Sequence, residues 1–290
     1  MAFAPTSPAS REPAVGDRAG ARFWDEWWQR SSLPPPIDPC RRGLKNYPFR
    51  KLHEFFEAVF SDRPARGQRL IEIGAAQSVW LPYFAKQFGF KVAGLDRSEL
   101  GCQRARMVLE REHVAGEIRC GDLFSPPTDW VYSFDVCGSF GVVEHFENTA
   151  QVIAAIARFL KPEGRMITLI PNFTGILRAY QRRLDRALCD AHLPLDLDQL
   201  AAAHREAGLR VEACDYLLPL GLEVLNVEKW PRRLPYWIVV RVHGVISRFV
   251  WLLDDAFHFR PNRWSSPYIY CVARKLIGIP DDAAERPACR

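Results

Sequence analysis

The chain has 290 residues, 48% of them hydrophobic and 25% charged, which suits one large globular domain with additions and excludes collagen, a coiled coil or wholesale disorder. Thirty-nine basic residues against 34 acidic ones leave a net charge of +5, well short of the dense basic face of a nucleic-acid-binding domain. Nine tryptophans form the compositional outlier, and seven of them lie near the N-terminus or after residue 229.

Residues 1–20 are rich in Ala, Pro, Ser and Gly without periodicity and read as a disordered lead. An N-terminal helical cap over 21–62 follows. In it Phe23, Trp24, Trp27 and Trp28 recur at helical spacing, the Pro-rich SSLPPPIDP ends that helix, and KLHEFFEAVF forms a second. The remainder, 63–290, reads as one domain. Its strand candidates are RLIEIG (69–74), KVAGLD (91–96), EIRCGD (117–122), YSFDVCGSFG (132–141) and RMITLIPN (165–172). Helices alternate with them: WLPYFAKQFG, SELGCQRARMVLERE with Ser98 as its cap, and TAQVIAAIARFL. Short apolar runs separated by helices indicate parallel βαβ units in a doubly wound α/β sheet covered on both faces.

Beyond Pro171, ILRAYQRRLDRALCD reads as one added helix, and LDLDQLAAAHREAG as another closed by Gly208. LRVEACDYLLPL and SSPYIYCVARK (265–275) complete the strands, separated by an aromatic-rich insertion at about 219–262. Within it, YWIVVRVHGVISRFVWLLDD forms a helix. Arg241, Gly244, Arg248 and Asp255 lie near one stripe, and Ile238, Val242, Val245, Ile246, Phe249 and Leu252 make an apolar face. That face suits packing on the core, a homodimer contact, or shallow peripheral contact with a membrane. The eight cysteines include no closely spaced pair, which argues against zinc ribbons and redox dithiols. No signal peptide and no apolar span of membrane length is visible, so a cytoplasmic location is expected.

In such a sheet ligands bind outside the carboxyl ends of the strands. The first turn reads Glu72-Ile73-Gly74-Ala75-Ala76-Gln77-Ser78 and lacks the G-x-G-x-x-G pattern of pyrophosphate binders. Glu72 would repel phosphates but suits a ligand carrying an ammonium group. Asp96 ends the second strand 24 residues later, where a carboxylate accepts from both ribose hydroxyls of an adenosine ligand, with Arg97 beside it. Asp122 follows the third strand, where it can receive an adenine amino group while Leu123 covers the ring. Three acids closing three successive strands are hard to dismiss as helix caps.

The set LIEIGAAQS, GLDRSELGCQRAR, GDLF, FDVCGSFGVVEHFEN and FLKPEGRMITLIPN resembles, in order and spacing, the class I S-adenosylmethionine-dependent methyltransferases, in the group with the ubiquinone and menaquinone enzymes. The resemblance covers roughly residues 67–172 and is most specific in FGVVEHFEN. It implies a Rossmann-like seven-stranded sheet whose last strand is antiparallel. It also implies S-adenosyl-L-methionine as cofactor, with Gly74 and Ala76 at its methionine part, Asp96 on the ribose, and Asp122 with Leu123 at adenine. Ala76 and Ser78 depart from the usual glycines and imply a slightly tighter loop. Ser139, Phe140 and Gly141 are expected to line the methyl group.

Glu144 and His145 are the candidate catalytic pair, and two readings stand. His145 is a general base for an attacking hydroxyl, thiol or amine, or the pair only fixes its loop. Some quinone O-methyltransferases of this resemblance hold a divalent ion near such a pair, but Glu147 is the only other close acid and no metal is assigned. Trp24, Trp27, Trp28, Tyr47 and His53 on one side, and Trp230, Trp237 and Tyr268 on the other, are expected to close over a small, apolar or aromatic acceptor. The alternative is that these rings only glue the added helices to the core. No Asn/Asp-Pro-Pro-aromatic tetrad follows strand four, so nucleic acid is not the expected acceptor. A quinone or lipid methyltransferase at a membrane surface, and a non-catalytic cofactor-binding partner, are the alternatives.

Overall fold

The computed structural model describes residues 16–18, 20–227 and 236–277. In chain order they form α1 (Gly20–Arg30), α2 (Tyr47–Val59), β1 (Arg69–Ile73), α3 (Trp80–Phe88), β2 (Lys91–Asp96), α4 (Glu99–Arg111), β3 (Gly116–Cys120), β4 (Phe134–Phe140), α5 (Thr149–Ala157) and β5 (Leu160–Pro171). Then come α6 (Ile176–Leu184), α7 (Arg186–Asp190), α8 (Leu197–Glu206), β6 (Leu209–Leu217), α9 (Tyr236–Phe257) and β7 (Tyr268–Lys275).

The sheet order is β3-β2-β1-β4-β5-β7-β6. The first five strands are parallel, and β7 runs antiparallel between β5 and β6. This is the seven-stranded, Rossmann-like sheet expected, and the near-continuous apolar runs of β1 and β4 are explained by cover on both faces. On one face Phe56, Leu81, Phe84, Phe90 and Cys102 of α2, α3, α4 and their loops form a core. On the other, Trp130, Phe134, Ile153, Phe159 and Leu200 pack around α5 and α8. Order reversal at β1 and β4 opens the crevice between their carboxyl ends, which is where a ligand belongs.

Three elements differ from expectation. The helix predicted over 176–190 breaks at Asp185, which adopts extended dihedrals (φ −145°, ψ 97°) and turns its carboxylate onto the Leu188 N–H at 3.2 Å, ending α6 and capping α7. Phe159 and Leu160 leave the predicted helix 149–160, and β5 begins at Leu160. Within the expected lead, residues 16–18 hold defined places: Asp17 forms an isolated bridge with Phe146, and its carboxylate accepts the Gly20 N–H at 2.9 Å at the start of α1.

Of the three expected uses of the α9 apolar face, packing on the core does not hold. The core-facing side of the helix carries His243, Ser247, Trp251 and Asp254 alongside Val239, and the polar groups are all engaged. His243 meets the Tyr180 hydroxyl at 2.7 Å, Ser247 accepts the Leu222 N–H at 3.1 Å, and Trp251 Nε1 donates to Leu220 O at 2.7 Å. Trp251 also stacks on Tyr47 at 5.3 Å, and the Tyr47 hydroxyl donates to Asp254. The apolar stripe of Val242, Val245, Phe249 and Leu252 therefore points away from the body.

Candidate functional site

The first turn is built around close backbone approach. Gly74 donates its N–H to Leu95 O at 2.8 Å with φ +80°, and a Cβ there would stand 2.4 Å from Val142 Cγ2, so glycine is required on both counts. Ala76 takes the position where the resemblance expects glycine because its methyl faces Gly101 of α4, where an added Cβ would lie 2.6 Å away. Ser78 is equally purposeful. Its Oγ accepts the N–H groups of Trp80 and Leu81 at 3.1 and 3.2 Å, capping α3, while its hydroxyl proton goes to Glu72.

That places Glu72, Gly74, Ala76 and Asp96 around one turn. Burial pushes the Glu72 carboxyl up to about 8, against the opposing hydrogen bond from Ser78, and the neighbouring Asp96 adds to the rise. Asp96 accepts the Ser98 N–H at 2.8 Å and the Ala76 N–H at 3.0 Å, so the β2 acid and the β1 turn are locked together. Burial raises its pKa despite those two bonds. Arg97 points elsewhere and pairs with Asp17. Asp122 stands exposed beyond β3, its Oδ1 accepting the Phe124 N–H at 3.0 Å, while Leu123 packs partly buried against the core.

At the end of β4, Ser139 is fully buried and its Oγ has no hydrogen-bond partner. The Phe140 ring lies among Phe56, Trp80 and Phe84 at 5.4 to 6.2 Å, on the α2 and α3 side of the sheet. The following helical turn buries Glu144 and His145. Neither Glu144 oxygen has a hydrogen-bond partner, and burial pushes this carboxyl to about 8. His145 turns Nδ1 to Ala191 O at 3.1 Å, and burial, with His192 adding to it, drives its pKa down to about 3. The imidazole is therefore neutral, with its proton on Nδ1 and its Nε2 lone pair free to accept.

His192, between α7 and α8, is the residue that sequence reasoning missed. Its ring lies 4.3 Å from that of His145, and its Nδ1 faces Leu188 O at 2.7 Å. Glu144, His145 and His192 each offer a ligand atom, all within 4.8 Å of one another. Glu147, the acid considered beside the pair in sequence, is exposed and faces Gly16 instead.

The N-terminal segment roofs these groups. Arg18 N–H donates to His145 O at 2.9 Å, the edge of Trp24 meets His145 at 5.0 Å, and Trp28 stacks on Trp24 at 5.9 Å. Asp25 accepts from Ser98 Oγ at 2.6 Å, and Ser31 and Arg104 both reach Gln77 of the turn. Other expected pocket rings serve packing. Tyr47 is buried against Trp251, and His53 bonds the Tyr83 hydroxyl at 2.8 Å. Tyr268 packs in the core, Trp237 is exposed, and Trp230 lies outside the described residues.

Glu72 and Glu144 have no ion pair among the described residues, and orphaned polar atoms remain on Trp28, Ser139 and Glu144. The unpartnered atoms call for a polar occupant, and the two carboxyl groups favour a cationic one. A ligand with an ammonium and a sulfonium centre fits this donor set, whereas a pyrophosphate does not. Sheet order, antiparallel seventh strand and acid-lined first turn together define the class I S-adenosylmethionine-dependent methyltransferase architecture. The chain belongs to the methyltransferase-domain family, whose model matches residues 41–213.

Among curated proteins it is similar to the ubiquinone biosynthesis O-methyltransferase of Neisseria meningitidis serogroup C, 24% identical over 149 residues, 50% of this chain and 56% of that one. The corresponding protein of Bradyrhizobium diazoefficiens is 26% identical over 173 residues, 58% of this chain and 66% of that one. The match thus spans 56 to 66% of these relatives' own length. Among solved structures, geranyl diphosphate C-methyltransferase of Streptomyces coelicolor A3(2), described with Mg2+, geranyl diphosphate and S-adenosyl-L-homocysteine, has a TM-score of 0.56. It is 12% identical, with 91% of this chain and 100% of that one covered. Phosphoethanolamine N-methyltransferase 2 of Haemonchus contortus, with phosphomonomethylethanolamine and S-adenosylhomocysteine, scores 0.53 at 18% identity, covering 77% of this chain and 53% of that one. These two share the fold. No helix among the described residues is long and apolar enough to cross a membrane.

Proposed function

We propose that the protein transfers a methyl group from S-adenosyl-L-methionine to the hydroxyl oxygen of a small, apolar or aromatic acceptor. The observation that carries this reading is the pair of carboxylates at the Gly74 turn, Glu72 buried and Asp96 partly buried, with Asp96 held to the turn by the Ala76 N–H. The name shared by the curated relatives, ubiquinone biosynthesis O-methyltransferase, favours oxygen as the nucleophile.

The cofactor supplies a sulfonium methyl that is already a good electrophile. Glu72 holds the ammonium, Asp96 accepts from the ribose hydroxyls, and Asp122 with Leu123 serves adenine through the carboxylate oxygen not committed to Phe124. Ser139 lines the methyl region. When bound, the cofactor would supply its methyl carbon to the acceptor oxygen, with the electron pair of the carbon–sulfur bond returning to sulfur. The acceptor's proton passes to Glu144, whose pKa of about 8 matches the task better than the strongly depressed His145. His145 keeps its proton on Nδ1 and positions the acceptor through Nε2. Trp24 and Trp28 exclude water, so that orientation supplies much of the rate.

A second reading of the same corner is favoured by the two Nδ1 contacts. Both imidazoles turn Nδ1 to backbone carbonyls, which leaves Nε2 uncommitted as in metal-bound histidines, and each offers a ligand atom within 4.8 Å of one on unpartnered Glu144. A divalent ion held by Glu144, His145 and His192 would stabilise the acceptor as its oxyanion. Calorimetry with S-adenosylhomocysteine tests the main reading, and absence of binding overturns it. Asp96→Ala should raise the dissociation constant at least about tenfold, since a charged hydrogen-bond acceptor is lost. For the ion, a shift in melting temperature on adding Mg2+, Mn2+ or Zn2+ that disappears in His192→Ala supports it, and no shift with any of the three removes it.

A further inference from the structure

Alpha9 has two contrasting sides: polar groups and Trp251 face the body, and an apolar strip lies opposite. Among the described residues only one side is covered. Val242, Val245, Phe249 and Leu252 recur every three or four residues along the other, with Phe249 61% and Val245 58% exposed, and Trp237 and Phe257 extend the strip to both helix ends. The inward side cannot exchange with it, because Trp251, Asp254, His243 and Ser247 are pinned by the hydrogen bonds to Leu220, Tyr47, Tyr180 and Leu222.

The charge on α9 and in the segment that follows it points to the occupant of the strip. Over 237–264 the exposed ionised groups are Arg241, Arg260 and Arg263 against one acid, Asp255. Arg263 lies over the exposed Trp264 ring at 4.4 Å. Apolar groups flanked by arginine and tryptophan match the boundary between acyl chains and anionic headgroups, where tryptophan sits and each arginine gains from the surface potential. A symmetric contact between two copies would instead bring these arginines near one another with one acid per copy to offset them. The loop that follows α9 is also tied to the ligand end of the sheet: Asn172, just past β5, donates from its amide to Arg263 O and Ser266 O at 3.0 and 2.9 Å.

We propose that the outward face of α9, with Arg241, Arg260, Arg263 and Trp264, seats the protein on an anionic lipid surface. The helix lies along the surface and does not span it. This goes beyond the proposed methyl transfer, needs neither cofactor nor turnover, and stands or falls separately.

Flotation with vesicles of phosphatidylcholine alone, or with phosphatidylglycerol added, tests it. Wild type should float with the anionic vesicles, remain largely unbound with phosphatidylcholine, and lose binding in high salt. Neutralising Arg241 and Arg260 with R241Q/R260Q should weaken partitioning about fivefold per arginine. V245E/F249E, at solvent-facing positions whose change leaves the far-ultraviolet circular dichroism intact, should cut it at least about tenfold. Asp96→Ala, which should weaken cofactor binding at least about tenfold, should float like wild type, so failure here and failure of the methyl-transfer reading are distinguishable. Absence of flotation overturns the proposal, as does flotation indifferent to V245E/F249E. A dimer by light scattering that V245E/F249E dissolves, without vesicle binding, assigns the face to a second copy and equally overturns it.

Discussion

Replacing Glu72 with Gln isolates the electrostatics of the first turn. With its pKa near 8, about one Glu72 in ten is ionised at pH 7 in the ligand-free protein. Holding an ammonium group requires the ionised form, so binding must expel a proton, which costs about 1.4 kcal/mol at pH 7 and nothing well above pH 8. The dissociation constant for S-adenosylhomocysteine should therefore fall about tenfold for each pH unit up to about 8 and then level off. Glutamine keeps an oxygen for the Ser78 hydroxyl but cannot ionise, so Glu72→Gln should bind weakly with a flat pH profile. Stability carries the same signature with its own sign. The folded chain retains a proton that the unfolded chain loses near 4.5, so this contribution is complete below 4.5 and is lost as pH rises through about 8. Urea midpoints at pH 5 and 8 should differ less in Glu72→Gln than in wild type. Calorimetry across pH 6 to 9 is the decisive assay. A wild-type profile without slope, or a slope retained in Glu72→Gln, refutes the assignment of Glu72 to the ammonium.

Other consequences are as direct. Gly101→Ala should destabilise the fold by about 1–3 kcal/mol through overlap with Ala76, and Ala76→Gly in the same chain should restore most of it, as read by urea denaturation. If the double variant is no better than the single, the two methyls do not compete. Trp251→Ala should cost about 3–5 kcal/mol, because it removes the Tyr47 stack and the bond to Leu220 O, and loss of cooperative α9 unfolding by hydrogen exchange would locate the damage. With His145 neutral above pH 4, turnover should show no ionisation near 6.5, and an inflection there that vanishes in His145→Ala would return the general-base role to this histidine.

Much of the scaffold was legible because a parallel sheet leaves period-free apolar runs, and because an acid at a strand's end is conspicuous. Asp96 could be placed from β2 alone, and the antiparallel last strand came with the family resemblance. What escaped depended on contacts distant in sequence. His192 lies 47 residues after His145 and reaches it only because Asp185 breaks the helix between them. Ser78 looked like a lapse from glycine until its two roles, capping α3 and holding Glu72, stood in one place. Ala76 was legible as a departure, yet its permission comes from the missing side chain of Gly101. The direction of the α9 apolar face escaped for a different reason. Periodicity identifies an apolar face but not its direction, and here polar residues with dedicated partners claim the inside.

The position of β7 has a consequence for how the chain is made. The last strand in sequence is an interior strand of the sheet, bonded along its length to both β5 and β6. As synthesis proceeds, β5 therefore presents a bare edge, and β6 has no neighbour until residues 268–275 emerge. The apolar strip of α9 is already outside the ribosome by then. The nascent chain thus carries an open sheet edge and a greasy helix together, so a chaperone or a lipid surface that shields them protects it when misassembly is easiest.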